Sequence, residues 1–227
     1  MGIADVSNLP VVTGLSGSSS AAKDVTVDGV YTVAAGDTNA RIIYGDTYAN
    51  QVAYQSPSIS GFTFSFGVVP VQTVETSVGN TAATKDTLSY VLAYSNGPLN
   101  ASVNLTDSAG GTAYKQTTIV ANYDFGIAKI GFANQSISMA TGVNPGNGTM
   151  VTAFVPLGNG NIGAGYGRRS AAVQASSSFG DDVKQSFVGY KYNLSKRTTL
   201  SATYNKINRT GTATDLKETH VLVGHSF

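Results

Sequence analysis

The sequence has 227 residues and no cysteine, and only 12% of its residues are charged, whereas about a quarter are charged in a typical soluble domain. Its two histidines, His220 and His225, are separated by an odd number of positions in an alternating segment, so they point to opposite faces. The adjacent carboxylates Asp181 and Asp182 diverge instead of converging. A metalloenzyme or a Ser-His-Asp hydrolase is therefore poorly supported, and we predict no catalytic residues, no metal site and no cofactor.

Long apolar runs are also missing. No stretch approaches the ~20 residues that a membrane-spanning helix needs, which excludes helical insertion. Hydrophobic residues nevertheless make up 41% of the chain. A closed antiparallel β-barrel satisfies both observations, because it pairs its backbone polar groups between strands and needs apolar side chains only at alternate positions. The net charge of +1 argues against a nucleic-acid partner.

Apolar and polar residues alternate regularly from residue 51 onward. Phe62, Phe64 and Phe66 share one face, while Thr63 and Ser65 share the other. Three phenylalanines on one face would be insoluble if that face met water. The pattern predicts an outward face that contacts lipid or another subunit, made of Phe62, Phe64, Phe66, Tyr90, Leu92, Tyr94, Ile130, Phe132, Tyr166, Tyr190, Tyr192, Tyr204 and Phe227.

The connections between the alternating segments fall into two classes. The short ones are 56–61, 96–98, 124–126, 156–160 and 193–197, and the longer, Ser/Thr/Gly/Asn-rich ones are 71–86, 107–115, 136–149, 170–184 and 208–218. The two classes alternate along the chain, as short periplasmic turns and long external loops do in outer-membrane barrels. We count about eleven strands.

The last segment ends on an aromatic residue in the pattern Val221, Val223, His225, Phe227. Together with YKYNLSKRTTL at 190–200 and NQVAYQSP at 50–57 running into GFTF at 61–64, it resembles the Gram-negative general porin family, particularly its betaproteobacterial branch. The resemblance covers about residues 40–227. It implies that Val221, Val223, His225 and Phe227 form the signal read by the outer-membrane assembly machinery.

Barrels of the general porin family, which this sequence resembles, have sixteen strands, with a constriction loop between the fifth and the sixth. Eleven strands therefore correspond to the last two-thirds of such a barrel. We expect residues 1–49 to be an irregular remnant of the constriction loop and residues 50–227 to form the strands of an incompletely closed sheet. The first residues lack the features of a secretory leader, so we expect an upstream segment outside this sequence. The alternative is a small closed barrel of about twelve strands, in which 24–33 supplies a strand that pairs with the final one.

The resemblance implies a water-filled channel for passive diffusion of small hydrophilic solutes and ions across the outer membrane of a Gram-negative bacterium. If the chain is complete, the resemblance also implies a homotrimer. Alternation places Lys129, Arg169 and Lys191 in the lumen, and Arg41 resembles constriction-loop material. These four predicted pore-lining cations favour a mild anion preference. The alternative function is an adhesin or ligand receptor that acts through the long external loops.

Overall fold

The computed structural model describes residues 26–27, 30–31, 52–70, 85–108, 114–139, 146–170, 182–210 and 215–226. These ranges contain thirteen β-strands: β1 Thr26–Val27, β2 Val30–Tyr31, β3 Val52–Gln55, β4 Phe62–Val69, β5 Thr87–Asn96, β6 Leu99–Ser108, β7 Tyr114–Asp124, β8 Lys129–Met139, β9 Asn147–Leu157, β10 Gly160–Arg169, β11 Asp182–Asn193, β12 Thr198–Thr210 and β13 Leu216–His225. No helix long and apolar enough to span a membrane occurs in the same ranges.

Strands β3 to β13 form one antiparallel sheet in strict chain order, with β3 and β13 at its two edges. Each strand pairs with the next strand in the chain, so successive connections lie at opposite ends of the sheet. The five short connections share one end, called the turn end below, and the other end is called the long-connection end. The prediction of about eleven antiparallel strands from residue 50 onward is confirmed.

The short strands β1 and β2 pair with each other in a separate two-stranded sheet, and β2 lies against β11 and β12. Within the described ranges, β13 pairs with β12 and with no other strand. The twelve-strand alternative required a strand from 24–33 beside β13, and the described part of that segment does not join the large sheet. Most of the predicted irregular segment 1–49 lies outside the described residues, and the division at residue 50 stays a prediction.

Two of the short turns follow one pattern. The two-residue loops 97–98 and 158–159 each begin with a glycine at positive φ, +57° for Gly97 and +60° for Gly158. This conformation is characteristic of the first central position of a type II′ hairpin turn, where glycine avoids the Cβ clash that other residues suffer. The turn chemistry thus matches the right-handed twist of the strands on either side.

The two faces of the sheet differ in composition. We call one the buried face and the other the exposed face, after the accessibility of their side chains. In β7, for example, Gln116, Thr118 and Val120 are buried, whereas Ile119 and Tyr123 are exposed. All the described members of the predicted outward face lie on the exposed face, as the period-two pattern required; Phe227 lies outside the described residues.

Candidate functional site: the buried polar face

The buried face is predominantly polar. Among the described residues, fifteen buried side chains are polar or charged and seven are hydrophobic. The exposed face carries large apolar side chains instead, including Phe64 at 43% and Leu92 at 52% exposure. A soluble domain has the opposite arrangement, because burial of apolar surface drives its folding. The inversion indicates that apolar solvent surrounds the exposed face.

A hydrogen-bonded row crosses four strands at the level of Arg169. The register aligns Thr118 of β7, Gln135 of β8, Gly148 of β9 and Arg169 of β10. The Arg169 guanidinium donates to Gln135 Oε1 at 2.8 Å, and the Gln135 amide donates to Thr118 Oγ1 at 3.1 Å. Gly148 has no side chain between them, so the arginine reaches across β9. Arg169 is only 3% exposed and also donates to the Gly146 carbonyl at 2.9 Å.

Lys129 lies on the same face near the turn end. Its ammonium group forms an ion pair with Asp124 at 3.1 Å, and both side chains are partly exposed. Asp124 also accepts a hydrogen bond from the Gly126 backbone amide at 2.8 Å, which holds the carboxylate over the β7–β8 turn. The carboxylate therefore offsets much of the positive charge that Lys129 brings to this face.

Lys191 stands between Asn161 and Ser201 on the neighbouring strands of the buried face. It is half-buried and forms no ion pair with a described residue. On β13, His220 and Glu218 share the buried face, with His220 Nε2 3.5 Å from Glu218 Oε2. Lys191 thus differs from Lys129 and Arg169, because it has neither a carboxylate partner nor a place in a hydrogen-bonded row.

Glycines shape the middle of the face. Gly163, Gly165 and Gly167 of β10 all lie on it. A Cβ on Gly165 would clash with the Phe187 ring of β11, so the ring lies directly over the glycine backbone. The small residues of β10 therefore make room for the side chains of the strands beside it.

Several polar atoms on the buried face have no hydrogen-bond partner in the described part of the chain: Thr106 Oγ1, Asn122 Nδ2, Thr152 Oγ1, Asn161 Oδ1, Asn205 Nδ2, Glu218 Oε2 and His220 Nε2. Buried polar groups in folded proteins are almost always paired with protein or water. The buried face therefore carries hydrogen-bonding groups that its own described side chains do not use.

The predicted site residues separate into three sets. Lys129, Arg169 and Lys191 lie on the buried face, which is the placement that alternation predicted. Val221, Val223 and His225 lie on the exposed face of β13, and His225 Nδ1 contacts Thr198 Oγ1 at 2.9 Å. Arg41 and Phe227 lie outside the described residues. The roles of all eight in pore lining and assembly stay predictions.

Sequence reasoning missed three polar partners on the buried face. Asp124, Gln135 and Glu218 occupy the alternate strand positions whose side chains point to this face. That alternation was the available sequence signal for each of them. Their partners were not predictable, because the contact of Gln135 with Arg169 joins residues 34 positions apart. Such a contact depends on the register between strands.

Eleven antiparallel strands in chain order, an apolar exposed face and a polar buried face define a transmembrane β-barrel protein. Comparison with known sequences makes the assignment specific. A sequence model of the Gram-negative porin family matches residues 8–212, so the chain belongs to that family. Its location is the outer membrane of a Gram-negative bacterium.

Individual relatives agree with this assignment. The chain is 29% identical over 159 residues to outer membrane porin protein 32 of Delftia acidovorans, an alignment covering 66% of this chain and 44% of the relative. It superposes on the anion-selective porin from Comamonas acidovorans with a TM-score of 0.62 at 25% identity, over 78% of this chain and 59% of that one. The outer membrane channel DcaP of Acinetobacter baumannii shares the fold, with a TM-score of 0.62 at 12% identity, over 78% of this chain and 62% of that one. The chain thus spans less than two-thirds of the length of these proteins.

Proposed function

We propose that the chain forms the wall of a water-filled channel for passive diffusion of small hydrophilic solutes and ions, without catalysis. The observation that carries the proposal is the polar buried face, which stands opposite an apolar exposed face. A polar inner face opposite a lipid-facing one is the arrangement of a porin lumen. Family membership supports the same activity.

We further propose a mild preference for anions. On the described part of the buried face, Lys129, Arg169 and Lys191 contribute cations, while Asp124 and Glu218 contribute carboxylates. Three cations against two carboxylates leave a small net positive charge on this part of the face. The Comamonas relative is described as anion-selective, which agrees with a cationic lumen.

Planar-bilayer conductance tests the channel directly. We expect the refolded protein to insert and give stable ohmic current steps in KCl. Protease protection and heat-dependent gel migration verify that the inserted protein is folded. A folded, inserted and electrically silent protein would contradict the channel and favour a receptor or adhesin that acts through the long connections.

A further inference from the structure

A carboxylate and an imidazole converge on the buried face of β13. Glu218 and His220 are two residues apart on this strand, so their backbone positions are about 6.6 Å apart. Their tips are much closer, with His220 Nε2 3.5 Å from Glu218 Oε2. Both atoms are buried, and neither has a hydrogen-bond partner in the described part of the chain. Two atoms of the kinds that bind metal ions in proteins therefore point to one place.

Neutral side chains stand beside this pair. On β12, Thr203 is directly opposite His220, and Asn205 is directly opposite Glu218. Asn205 Oδ1 already accepts a hydrogen bond from the Gln185 side-chain amide at 3.1 Å. No Lys or Arg among the described residues forms an ion pair with Glu218. Because a buried carboxylate oxygen is costly without a cation, the surroundings of Glu218 favour a bound cation.

The distance between the two atoms fits a tetrahedral metal ion. Zinc lies about 2.1 Å from a histidine nitrogen or a carboxylate oxygen, and two such ligands at the tetrahedral angle are about 3.4 Å apart. The observed separation of 3.5 Å is close to this spacing. A mixed set of nitrogen and oxygen ligands suits Zn²⁺, whereas Mg²⁺ and Ca²⁺ prefer oxygen ligands alone.

We propose that Glu218 and His220 form a binding site for Zn²⁺ on the buried face, with water at the remaining coordination positions. No group of three His, Cys, Asp or Glu side chains that could hold a metal ion occurs in the described ranges, so the protein supplies two ligands. The His220 side chain is 38% exposed, which gives an ion access to the pair. The sequence alone predicts no metal site, because its two histidines point to opposite faces. The structure places Glu218, rather than a second histidine, beside His220.

Bound zinc changes the charge of the buried face. The divalent ion more than offsets the Glu218 carboxylate, so it adds positive charge to the wall of the proposed channel. A more positive wall favours anions over cations. This effect on ions rests on the proposed function, whereas the metal site rests on the two side chains of β13 and does not depend on conduction.

Zinc binding to the refolded full chain in zwitterionic detergent tests the site directly. Competition with a chromophoric zinc indicator gives the affinity and the stoichiometry. Glu218→Gln removes the charge and keeps the shape of the side chain, and His220→Ala removes the imidazole. His225→Ala is the matched control, because His225 lies on the exposed face of the same strand. Far-UV circular dichroism and heat-dependent gel migration verify folding.

We expect the wild-type chain to bind a single Zn²⁺ that excess Mg²⁺ does not displace. Glu218→Gln and His220→Ala should each lose affinity by about tenfold or more, since loss of a residue that merely supports a metal ligand already costs about 10–100-fold. His225→Ala should leave the affinity unchanged. A wild-type chain that binds no Zn²⁺ would overturn the proposal and leave a protonated His220 as the partner of Glu218. Equal losses in the two histidine variants, or unchanged affinity in Glu218→Gln, would also overturn it.

Histidine NMR gives a second readout that does not depend on any folding defect of a variant. The chain contains two histidines, so isotope-labelled histidine gives two ring signals, which His220→Ala assigns. Zn²⁺ should shift the His220 signal of the wild-type chain and leave the His225 signal in place. A shift of the His225 signal alone would refute the site.

Planar bilayers separate the metal site from the channel. Zn²⁺ should move the reversal potential of the wild-type chain toward the value of an anion-selective channel, and it should have no such effect on His220→Ala. Equal shifts in both chains would contradict a site at His220. Zinc binding in detergent by a folded chain that conducts no current would support the metal site and contradict the proposed function.

Discussion

Phe64 and Ser65 are consecutive residues of β4 with opposite surroundings. Phe64 is exposed on the lipid-facing side beside Leu92, whereas Ser65 lies on the buried polar face beside Val91. We expect Phe64→Lys to lower the free energy of unfolding by ~2–4 kcal/mol, because it places a charge in hydrocarbon. Ser65→Lys should cost less than ~1 kcal/mol, because a lumen-facing charge stays hydrated. Urea unfolding of the protein in lipid vesicles measures both changes.

The comparison of these two residues is controlled within the strand. Thr63→Lys has the parity of Ser65 and should behave like it. Equal losses at Phe64 and Ser65 would mean that the face assignment is inverted, as a register shift of one residue would make it.

The same alternation along each strand explains which side chains of the site could be assigned to a face from the sequence. Lys129 is flanked by Ala128 and Ile130, so alternation alone placed it on the polar face. Arg169 followed from its spacing to Gly167. Its hydrogen bond to Gln135 was not predictable, because it requires Gly148 on the strand between them and a register that no local pattern reveals.

At the scale of elements, the hairpin turns are the points where single residues control strand pairing. Gly97 has a φ of +57° and no atom within 4 Å of a built Cβ, so Gly97→Ala adds backbone strain without a steric clash. We expect a loss of ~1–2 kcal/mol in the free energy of unfolding. Pro98→Ala in the same loop should change stability by less than ~0.5 kcal/mol. Chemical unfolding of both variants measures this difference.

Gly61 provides a sterically stricter comparison for the turn prediction. Its φ is +88°, and a built Cβ lies 3.0 Å from the Ser95 carbonyl oxygen. Gly61→Ala should therefore cost more than Gly97→Ala. The opposite order would show that backbone strain and close contact do not set the stability of these turns.

Strand existence was predictable from the sequence, and strand length was less so. In the sequence, Val151, Ala153 and Val155 mark a strand only over 151–155, whereas β9 extends over Asn147–Leu157. Asn147, Gly148 and Thr149 are small or polar on both faces, so they give no alternation signal although the backbone ladder continues. Strand ends near the membrane interface lose the contrast between lipid and water, and the sequence pattern weakens there.

The assembly state belongs to the whole molecule. By resemblance to the family, we expect the complete protein to form a homotrimer. Detergent-extracted protein kept unheated should migrate on a gel at about three times the monomer mass, and heating should convert it to the monomer. A folded protein that migrates as a monomer before heating would argue against the trimer.

Ion selectivity is also a property of the whole lumen, since it sums the charges that line the path. Lys191 forms no ion pair with a described residue, so Lys191→Gln should reduce the anion preference. In a tenfold KCl gradient, ideal selectivity gives a reversal potential of about 59 mV. We expect the reversal potential to shift by roughly 5–10 mV toward the value of a cation-selective channel. Lys196→Gln, in the exposed β11–β12 turn, should move it much less.

Lys129 gives a sharper version of the same measurement, because it is paired with Asp124. Lys129→Gln removes a cation and also leaves the carboxylate uncompensated, so it should shift the reversal potential toward cations. D124N/K129Q removes both charges and should restore most of the original value. If Lys129 and Asp124 faced lipid instead of the permeation path, both variants would keep the original reversal potential. The two variants therefore test whether the buried polar face is the surface along which ions move.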